Sequence, residues 1–339
     1  MVLSSSDSTL LDAGSVVGYL VGRGVLREGR AVEVETLGGG VSNVVLGVRG
    51  YERDVVVKQA LPKLRVAEEW YAPEERSGVE AAALVLAGEL TPGVVPRVVD
   101  RDPQRHSLTV ERAPRGWSDW KRLLLGGGPQ PWVAERLGEV LATWHMGTLA
   151  QGTLPAELEG ILHFEHLRLN PYYATVAARA PELAPDVLGL AEQLRQRRIC
   201  FVHGDFSPKN VLVGAGALWV VDFEVAHRGD PAFDVAFMIC HLVLKSVHIP
   251  KCAERLDTCT FAFAQAYEAG AGGVPEFSWP YVLSHVACLL LARVRGKSPV
   301  EYLSERGQQV AWSLGVSLLR EPPGSLTELF ELRDRASSK

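Results

Sequence analysis

The sequence predicts an α+β fold in which a β-rich first part is followed by a mainly helical second part. Short β-type runs alternate with turns between residues 32 and 112, and most of the chain beyond residue 117 shows the three- and four-residue apolar spacing of helices. A chain of 339 residues is long enough for two lobes. We therefore expect a first lobe at residues 1–115 and a second at residues 116–339.

The composition is that of an ordinary soluble protein and argues against several kinds of partner. Hydrophobic residues make up 47% of the chain, charged residues 22%, and the net charge is −5. A chain with this charge is not expected to bind nucleic acid or an anionic membrane as its main partner. It contains no apolar run of about 18 residues and no signal-peptide pattern, so we expect no membrane span and a cytoplasmic location. The oligomeric state stays open.

A glycine-rich turn lies between two strand-type runs near the start of the first part. Glycines let a backbone approach phosphate groups closely, because they have no β-carbon. The turn residues Gly39, Gly40 and Ser42 are therefore candidates for a loop that covers a nucleotide. A plain glycine-rich hairpin accounts for this stretch alone equally well.

Three polar side chains of the second part follow strand-type runs and are predicted to meet at one end of the strands. The run Ile199–Val202 is followed by Asp205, Asn210 lies five residues further, and a later strand-type run ends at Asp222. A carboxylate can orient an attacking hydroxyl, and amide and carboxylate oxygens can hold Mg²⁺ on phosphates. The pattern predicts a site of phosphoryl transfer from a nucleotide.

These residues carry a family resemblance. The stretch HGDFSPKN, followed by VDFE, resembles the catalytic and metal loops of the aminoglycoside phosphotransferase/choline kinase superfamily, and HGD-x4-N stands where protein kinases have HRD-x4-N. The stretch VKQALP, at Val57–Pro62, is similar to the corresponding stretch of methylthioribose kinases, which belong to the same superfamily. The resemblance extends from about Val34 to Phe237.

The resemblance implies a protein-kinase-like fold and a kinase activity. The expected fold has a small antiparallel-sheet lobe and a larger helical lobe, in which a short β-hairpin carries the metal loop. The implied activity is phosphorylation of a small-molecule hydroxyl, with ATP and Mg²⁺ as cofactors. A methylthioribose-like sugar, an amino alcohol and an aminoglycoside-like compound stay open as acceptors. The alternative is a nucleotide-binding pseudokinase or scaffold without turnover, although every expected polar residue is present.

The resemblance also assigns roles to the residues of the site. Asp205 is implied to accept or orient the hydroxyl proton, and Asn210, Asp222 and Glu224 are implied to hold Mg²⁺. Lys58, on the third strand, is implied to hold the ATP phosphates and to pair with a glutamate of the following helix.

Two further contacts with the nucleotide region are implied. Glu80 is the first candidate for the partner of Lys58, with Glu75 as the alternative because the sequence does not fix the helix phase. The hinge between the lobes is implied to bind the adenine edge through the backbone of Glu111 and Ala113.

The acceptor is implied to lie between the catalytic loop and the C-terminal helices. Asp234, near the start of the first of these helices, is implied to hydrogen-bond the backbone of the catalytic loop. Arg293 and Arg295 end the helix predicted at Trp279–Val294 and are candidates for substrate contacts. Residues two apart on a helix point about 200° apart, so only one of the two can face the cleft. Both arginines can instead complement the negative end of the helix.

Overall fold

A small lobe built on one antiparallel sheet sits beside a larger, mainly helical lobe. The computed structural model describes residues 10–38, 41–65, 69–149, 152–275 and 277–338. The expected protein-kinase-like α+β fold with two lobes is confirmed.

The small lobe contains a five-stranded sheet with strand order β1-β2-β3-β5-β4. Because side chains alternate between the two faces of a strand, Val55 and Val57 of β3 pack into one core while Val56 and Lys58 face the other lobe. The lobe consists of α1 (Val16–Gly22), β1 (Glu33–Thr36), β2 (Asn43–Arg49), β3 (Asp54–Ala60), α2 (Arg76–Leu90), β4 (Val98–Asp102) and β5 (Ser107–Glu111).

The large lobe is a set of helices around three short strand pairs. A Cβ on Gly138 of α4 would lie 2.3 Å from the carbonyl oxygen of Phe263 in α9, so glycine is required where these two helices meet. The elements are β6 (Ser118–Asp119), α3 (Trp120–Leu125), α4 (Pro131–Leu149), α5 (Leu162–Phe164), α6 (Thr175–Arg179), α7 (Ala184–Gln196), β7 (Cys200–Val202), β8 (Val211–Gly214), β9 (Ala217–Val220), β10 (His227–Gly229), α8 (Pro231–His248), α9 (Ala253–Gly270), α10 (Trp279–Arg295), α11 (Glu305–Arg320) and α12 (Leu326–Ser337).

Helix α8 is the central helix of this lobe. It is long and apolar enough to pass a test for a membrane span by length and composition, but 89% of its 18-residue window is buried inside the protein. Its apolar composition is therefore explained by its place in the core.

The predicted hairpin is present as β8 and β9, joined by a turn at Ala215 and Gly216, whose φ angles are 51° and 74°. Strand β7 pairs with the three-residue strand β10, which the sequence did not predict. These two pairs place the loops that follow β7 and β9 side by side.

A π-helical segment, Glu165–Ala174, joins α5 to α6 and contains Pro171. The spacing of apolar residues does not indicate this segment, because the wider turns of a π-helix do not follow a three- and four-residue spacing. Segments of this kind are frequent at functional sites, and this one supplies three side chains to the cleft, those of Leu167, Arg168 and Tyr172.

Candidate active site

The loop at residues 203–210 is held in place by contacts that its backbone makes. Gly204 has φ 76°, and a Cβ there would lie 2.8 Å from the carbonyl oxygen of Val225, so both conformation and space require glycine. The carboxylate of Asp234 accepts hydrogen bonds from the N–H groups of His203 (2.7 Å) and Gly204 (2.8 Å). These contacts confirm the predicted role of Asp234 in holding the loop.

Asp205 is oriented by two donors that bind the same oxygen. Asn210 Nδ2 lies 2.7 Å and Arg168 Nη2 lies 2.9 Å from Asp205 Oδ2. Oδ1 of Asp205 takes part in neither of these two contacts. Arg168 also donates to the carbonyl of Gly204 at 2.9 Å. Burial opposes the charge of Arg168, but Asp205 and other nearby anions raise its pKa above the ordinary value, so the guanidinium stays charged.

Lys58 pairs with two carboxylates, one from each lobe. Its Nζ lies 2.6 Å from Glu80 Oε1 and 2.5 Å from Asp222 Oδ1. Glu75, the alternative partner, instead precedes the first residue of α2, and its side chain makes no capping hydrogen bond. Burial lowers the pKa of Lys58, but the charges of Asp222 and Glu80 outweigh it and raise this pKa. Burial opposes ionisation of Asp222, yet the Lys58 charge holds its pKa below the ordinary value.

The oxygen atoms at the base of the cleft suit Mg²⁺. Asn210 donates its Nδ2 to Asp205, which leaves its carbonyl oxygen as a ligand, and Asp222 supplies carboxylate oxygens from a residue with φ 74°. Among the residues that the structure describes, no group of three or more His, Cys, Asp or Glu could hold a metal ion. Magnesium is commonly bound by one or two protein oxygens together with phosphate oxygens and water, so the two residues fit the ion.

Glu224 connects the two lobes. Its Oε1 accepts a hydrogen bond from Ser42 Oγ at 2.6 Å, and its Oε2 accepts from Asn43 Nδ2 at 2.9 Å and Arg76 Nε at 3.1 Å. Arg76 is fully buried and also donates to the carbonyls of Ser42 and Leu61. These residues form what we call the Glu224 cluster. Both oxygens are thus bound by the small lobe, and metal binding by Glu224 stays a prediction.

The nucleotide side of the cleft is a cavity of about 650 Å³ between the lobes. Its walls include apolar side chains of both lobes, and the hinge residues Glu111 and Ala113 lie at its edge. Ser42 lines it as predicted, while Gly39 and Gly40 lie outside the described residues. The cavity brings together Lys58, Glu80, Asn210 and Asp222.

A smaller cavity, of about 110 Å³, is lined by Asp205 and shares Lys209 and Asp222 with the larger one. Arg293 lines it, and its Nη1 donates to Ser298 O (2.6 Å) and Tyr172 Oη (3.3 Å). Arg295 does not reach the cleft, and its prediction as a substrate residue is corrected. Its guanidinium carbon lies 4.0 Å from the ring centroid of Trp312, because it points away from Arg293 around the helix.

Sequence reasoning missed four cations of the site: Arg76, Lys121, Arg168 and Lys209. Lys209 directly precedes Asn210 within the motif and lines both cavities, so its position in the sequence was a usable signal. Arg76 and Arg168 lie far from the motif, and no local pattern distinguishes them from surface arginines.

The small antiparallel-sheet lobe, the helical lobe and the catalytic loop between two cavities define the class of protein-kinase-like folds. Within this class, the model of the phosphotransferase enzyme family (APH) matches residues 33–273. The chain belongs to this family.

Individual relatives are more distant. The chain is 27% identical over 256 residues to a methylthioribose kinase of Yersinia pseudotuberculosis, and the match covers 67% of this chain and 62% of that protein. The chain therefore spans less than two thirds of the length of this relative. The structure is similar to amicoumacin kinase hAmiN (TM-score 0.55, 15% identity, covering 88% of this chain and 91% of that one). It is also similar to choline kinase LicA of Streptococcus pneumoniae (TM-score 0.50, 14% identity, 96% and 98%). At these identities the structures show the fold.

Proposed function

We propose that this protein transfers the terminal phosphoryl group of ATP to a hydroxyl of a small molecule, with Mg²⁺ bound. The observation that carries the proposal is the position of Asp205, which two donors orient in the smaller cavity, the acceptor cavity of this proposal. The larger cavity, which would hold the nucleotide, adjoins it and shares Lys209 and Asp222 with it. Phosphoryl transfer depends mainly on positioning and on electrostatic stabilisation, and this arrangement supplies both.

The nucleotide would bind with its base among the apolar residues beside the hinge and its phosphates toward Lys58. Backbone groups of Glu111 and Ala113 would contact the adenine edge, since both residues line this end of the cavity. The contact of Lys58 with Glu80 keeps the ammonium in the cavity. The similar amicoumacin kinase structure is a complex with AMP-PNP and Ca²⁺, which supports a nucleotide and a divalent cation here.

Asn210 and Asp222 would hold Mg²⁺, which neutralises phosphate charge when it is bound. The acceptor hydroxyl would hydrogen-bond Oδ1 of Asp205, while Arg168 and Asn210 hold Oδ2. Lys209, which lines both cavities, would lie beside the transferred group. A carboxylate placed in this way is worth about 10²–10⁴ in rate.

The proposal is tested by calorimetry of ATP binding and by release of ADP with a panel of hydroxyl acceptors. The panel includes methylthioribose, amino alcohols and aminoglycosides, the acceptor classes that the resemblance leaves open. We expect ATP binding that requires Mg²⁺ and that the substitution Asp222→Ala removes, because Asn210 alone is a neutral and weaker ligand. Unchanged Mg·ATP affinity in Asp222→Ala would show that Asp222 is not the metal ligand. Tight Mg·ATP binding without acceptor-stimulated ADP release would favour a nucleotide-binding scaffold.

A further inference from the structure

The acceptor cavity is rich in positive charge. Among the described residues, its lining includes four cationic side chains, Lys121, Arg168, Lys209 and Arg293. Its three carboxylates, Asp205, Asp222 and Glu224, all bind other protein groups. Arg168 pairs with Asp205 and Lys121 pairs with Glu301, so Lys209 and Arg293 carry the excess of positive charge.

Arg293 makes hydrogen bonds only to neutral groups in the part of the chain that the structure describes. Its Nη1 donates to the backbone and hydroxyl of Ser298 and to the hydroxyl of Tyr172, and its Nε is buried without a hydrogen-bond partner. The hydroxyl of Tyr302, which also lines the cavity, is likewise buried and has no partner among these residues. Buried polar atoms are nearly always hydrogen-bonded, so two orphaned groups in one cavity indicate a ligand that supplies acceptors.

A second buried cation lies behind this wall. Lys245 is fully buried, and its Nζ donates to the backbone oxygen of His241 at 3.2 Å. Nζ also lies 5.5 Å from the ring centroid of Tyr302, and Nζ of Lys121 lies 5.7 Å from the same centroid. Burial, together with the charges of Lys121 and Arg293, lowers the pKa of Lys245 to about 7. An ammonium without a carboxylate is costly in such a place, unless a bound anion compensates for it.

Among the described residues, no carboxylate forms an ion pair with Arg293 or Lys245. Glu301 pairs with Lys121 at the rim of the cleft, where the Glu301 side chain is 69% exposed. His241 lines the cavity, and burial together with the charges of Arg293 and Lys245 holds its pKa well below the ordinary value. The imidazole is therefore neutral and adds no positive charge, but it can still donate one hydrogen bond.

ATP does not account for this cluster. Arg293, Ser298, Tyr302 and His241 line the acceptor cavity and are absent from the lining of the nucleotide cavity. The cations that border the nucleotide cavity are Lys58, Lys121, Arg122 and Lys209. A second anionic group, distinct from the ATP phosphates, would therefore occupy the part of the acceptor cavity that Arg293, Ser298 and Tyr302 line.

We propose that the acceptor is an anion, a small molecule whose carboxylate or phosphate group binds Arg293 and Tyr302 while its hydroxyl lies at Asp205. This inference rests on the proposed function, because it concerns the acceptor of that same site. A cationic acceptor of the aminoglycoside or choline type would place its charge against Arg293, and like charges at close range are strongly unfavourable.

Binding of simple anions tests the proposal independently of turnover. The protein is first saturated with Mg²⁺ and AMP-PNP, so that the phosphate positions of the nucleotide are filled, and is then titrated with inorganic phosphate and with malonate by calorimetry. We expect saturable binding of at least one anion, weakened about tenfold or more in Arg293→Ala, since charge-assisted hydrogen bonds are lost. The anion that binds more tightly indicates whether the acceptor's charged group is a phosphate or a carboxylate.

Two further variants complete this design. Arg295→Ala removes an arginine from the same helix outside the cavity and should bind the anions as the wild type does. Tyr302→Phe removes only the orphaned hydroxyl and should weaken binding severalfold with little risk to folding. Anion binding that is absent from the wild type, or equal in wild type and Arg293→Ala, would overturn the proposal. Failure of AMP-PNP itself to bind would instead count against the proposed kinase function.

Turnover provides a second test with matched acceptors. Glycerate is compared with glyceramide, ribose 5-phosphate with ribose, and choline serves as the cation. We expect phosphorylation of an anionic member of the panel, with a KM at least about tenfold higher in Arg293→Ala and a nearly unchanged kcat. Phosphorylation of choline or of an aminoglycoside alone would refute an anionic acceptor and leave the kinase function intact.

Discussion

The two ends of the cleft differ in how their charges are balanced. At the end that holds Asp205, four carboxylates have a partner of opposite charge within 3.1 Å: Lys58 binds Glu80 and Asp222, Asp205 binds Arg168, and Glu224 binds Arg76. At the acceptor end, Arg293 and Lys245 contact neutral groups in the described part of the chain. The first end is thus complete without substrate, whereas the second lacks a negative charge.

This difference has a physical meaning. Groups that stabilise a transition state work best when they are already oriented before the reaction, and mutual ion pairs provide that orientation. Unpaired buried cations destabilise the fold, so their presence indicates a function that compensates for the cost. The balanced end is suited to chemistry and the unbalanced end to recognition.

The largest effect is expected from Asp205→Asn at the balanced end. Turnover should fall by about 10²–10⁴, because an amide cannot accept the hydroxyl proton as a carboxylate does. The rate of ADP release with an acceptor measures the loss. Affinity for Mg·ATP, measured by calorimetry, should stay near that of the wild type. Near-normal turnover in this variant would show that Asp205 does not accept the proton. The proposed difference in function between the two ends would then fail.

A substitution in the Glu224 cluster should mainly affect stability. Glu224→Gln leaves the fully buried Arg76 without its carboxylate, and breaking a buried ion pair costs about 3–5 kcal/mol. We expect the lower part of this range because Arg76 keeps its bonds to the carbonyls of Ser42 and Leu61. The free energy of unfolding in urea measures the effect.

Glu301→Gln is the matched control for the Glu224 cluster. It breaks the exposed pair with Lys121 and should change the free energy of unfolding by less than about 1 kcal/mol. The affinity of Glu224→Gln for Mg·ATP adds a second readout. An affinity equal to that of the wild type would leave Glu224 as a connection between the lobes and exclude it as a metal ligand.

Lys245→Met at the unbalanced end should have a smaller effect than Glu224→Gln, and it should raise stability instead of lowering it. The pKa of Lys245 is lowered from 10.5 to about 7 in the folded protein. Between these pH values the unfolded chain binds a proton that the folded protein lacks, so wild-type stability rises with pH across this range. Lys245→Met should therefore be more stable than the wild type by roughly 2 kcal/mol at pH 7. The difference in unfolding free energy between variant and wild type should narrow toward pH 10 in unfolding titrations. A stability gain that is independent of pH would contradict this prediction.

Much of the balanced end could be predicted because its residues lie in short motifs that carry the family resemblance. Asp205 and Asn210 occupy one loop, Asp222 ends the hairpin that follows, and Lys58 lies in a strand next to the helix of Glu80. Their partners Arg168 and Arg76 could not be predicted, since a buried arginine in a distant segment has the same local pattern as a surface one. Only the folded chain shows which carboxylate each arginine binds.

The outline of the fold could be predicted from the spacing of apolar residues. Lobe architecture and the β8–β9 hairpin follow from periodicity over several residues, whereas β10 has three residues, too few to show an alternation. Helix α11 begins at Glu305, where the side chain of Ser304 accepts a hydrogen bond from the N–H of Gly307. A serine at this position is a capping signal that the sequence itself carries.

The π-helical segment Glu165–Ala174 has a consequence for how acceptor preference can evolve. Arg168, which holds Asp205, and Tyr172, which contacts Arg293, lie four residues apart on this segment. Both guanidinium groups lie within 5.9 Å of the centroid of the Tyr172 ring. A substitution that reshapes this segment therefore disturbs the proton acceptor and the recognition of substrate together. New preferences are expected to arise first through changes at Arg293, Ser298 and Tyr302, which can vary without moving Asp205.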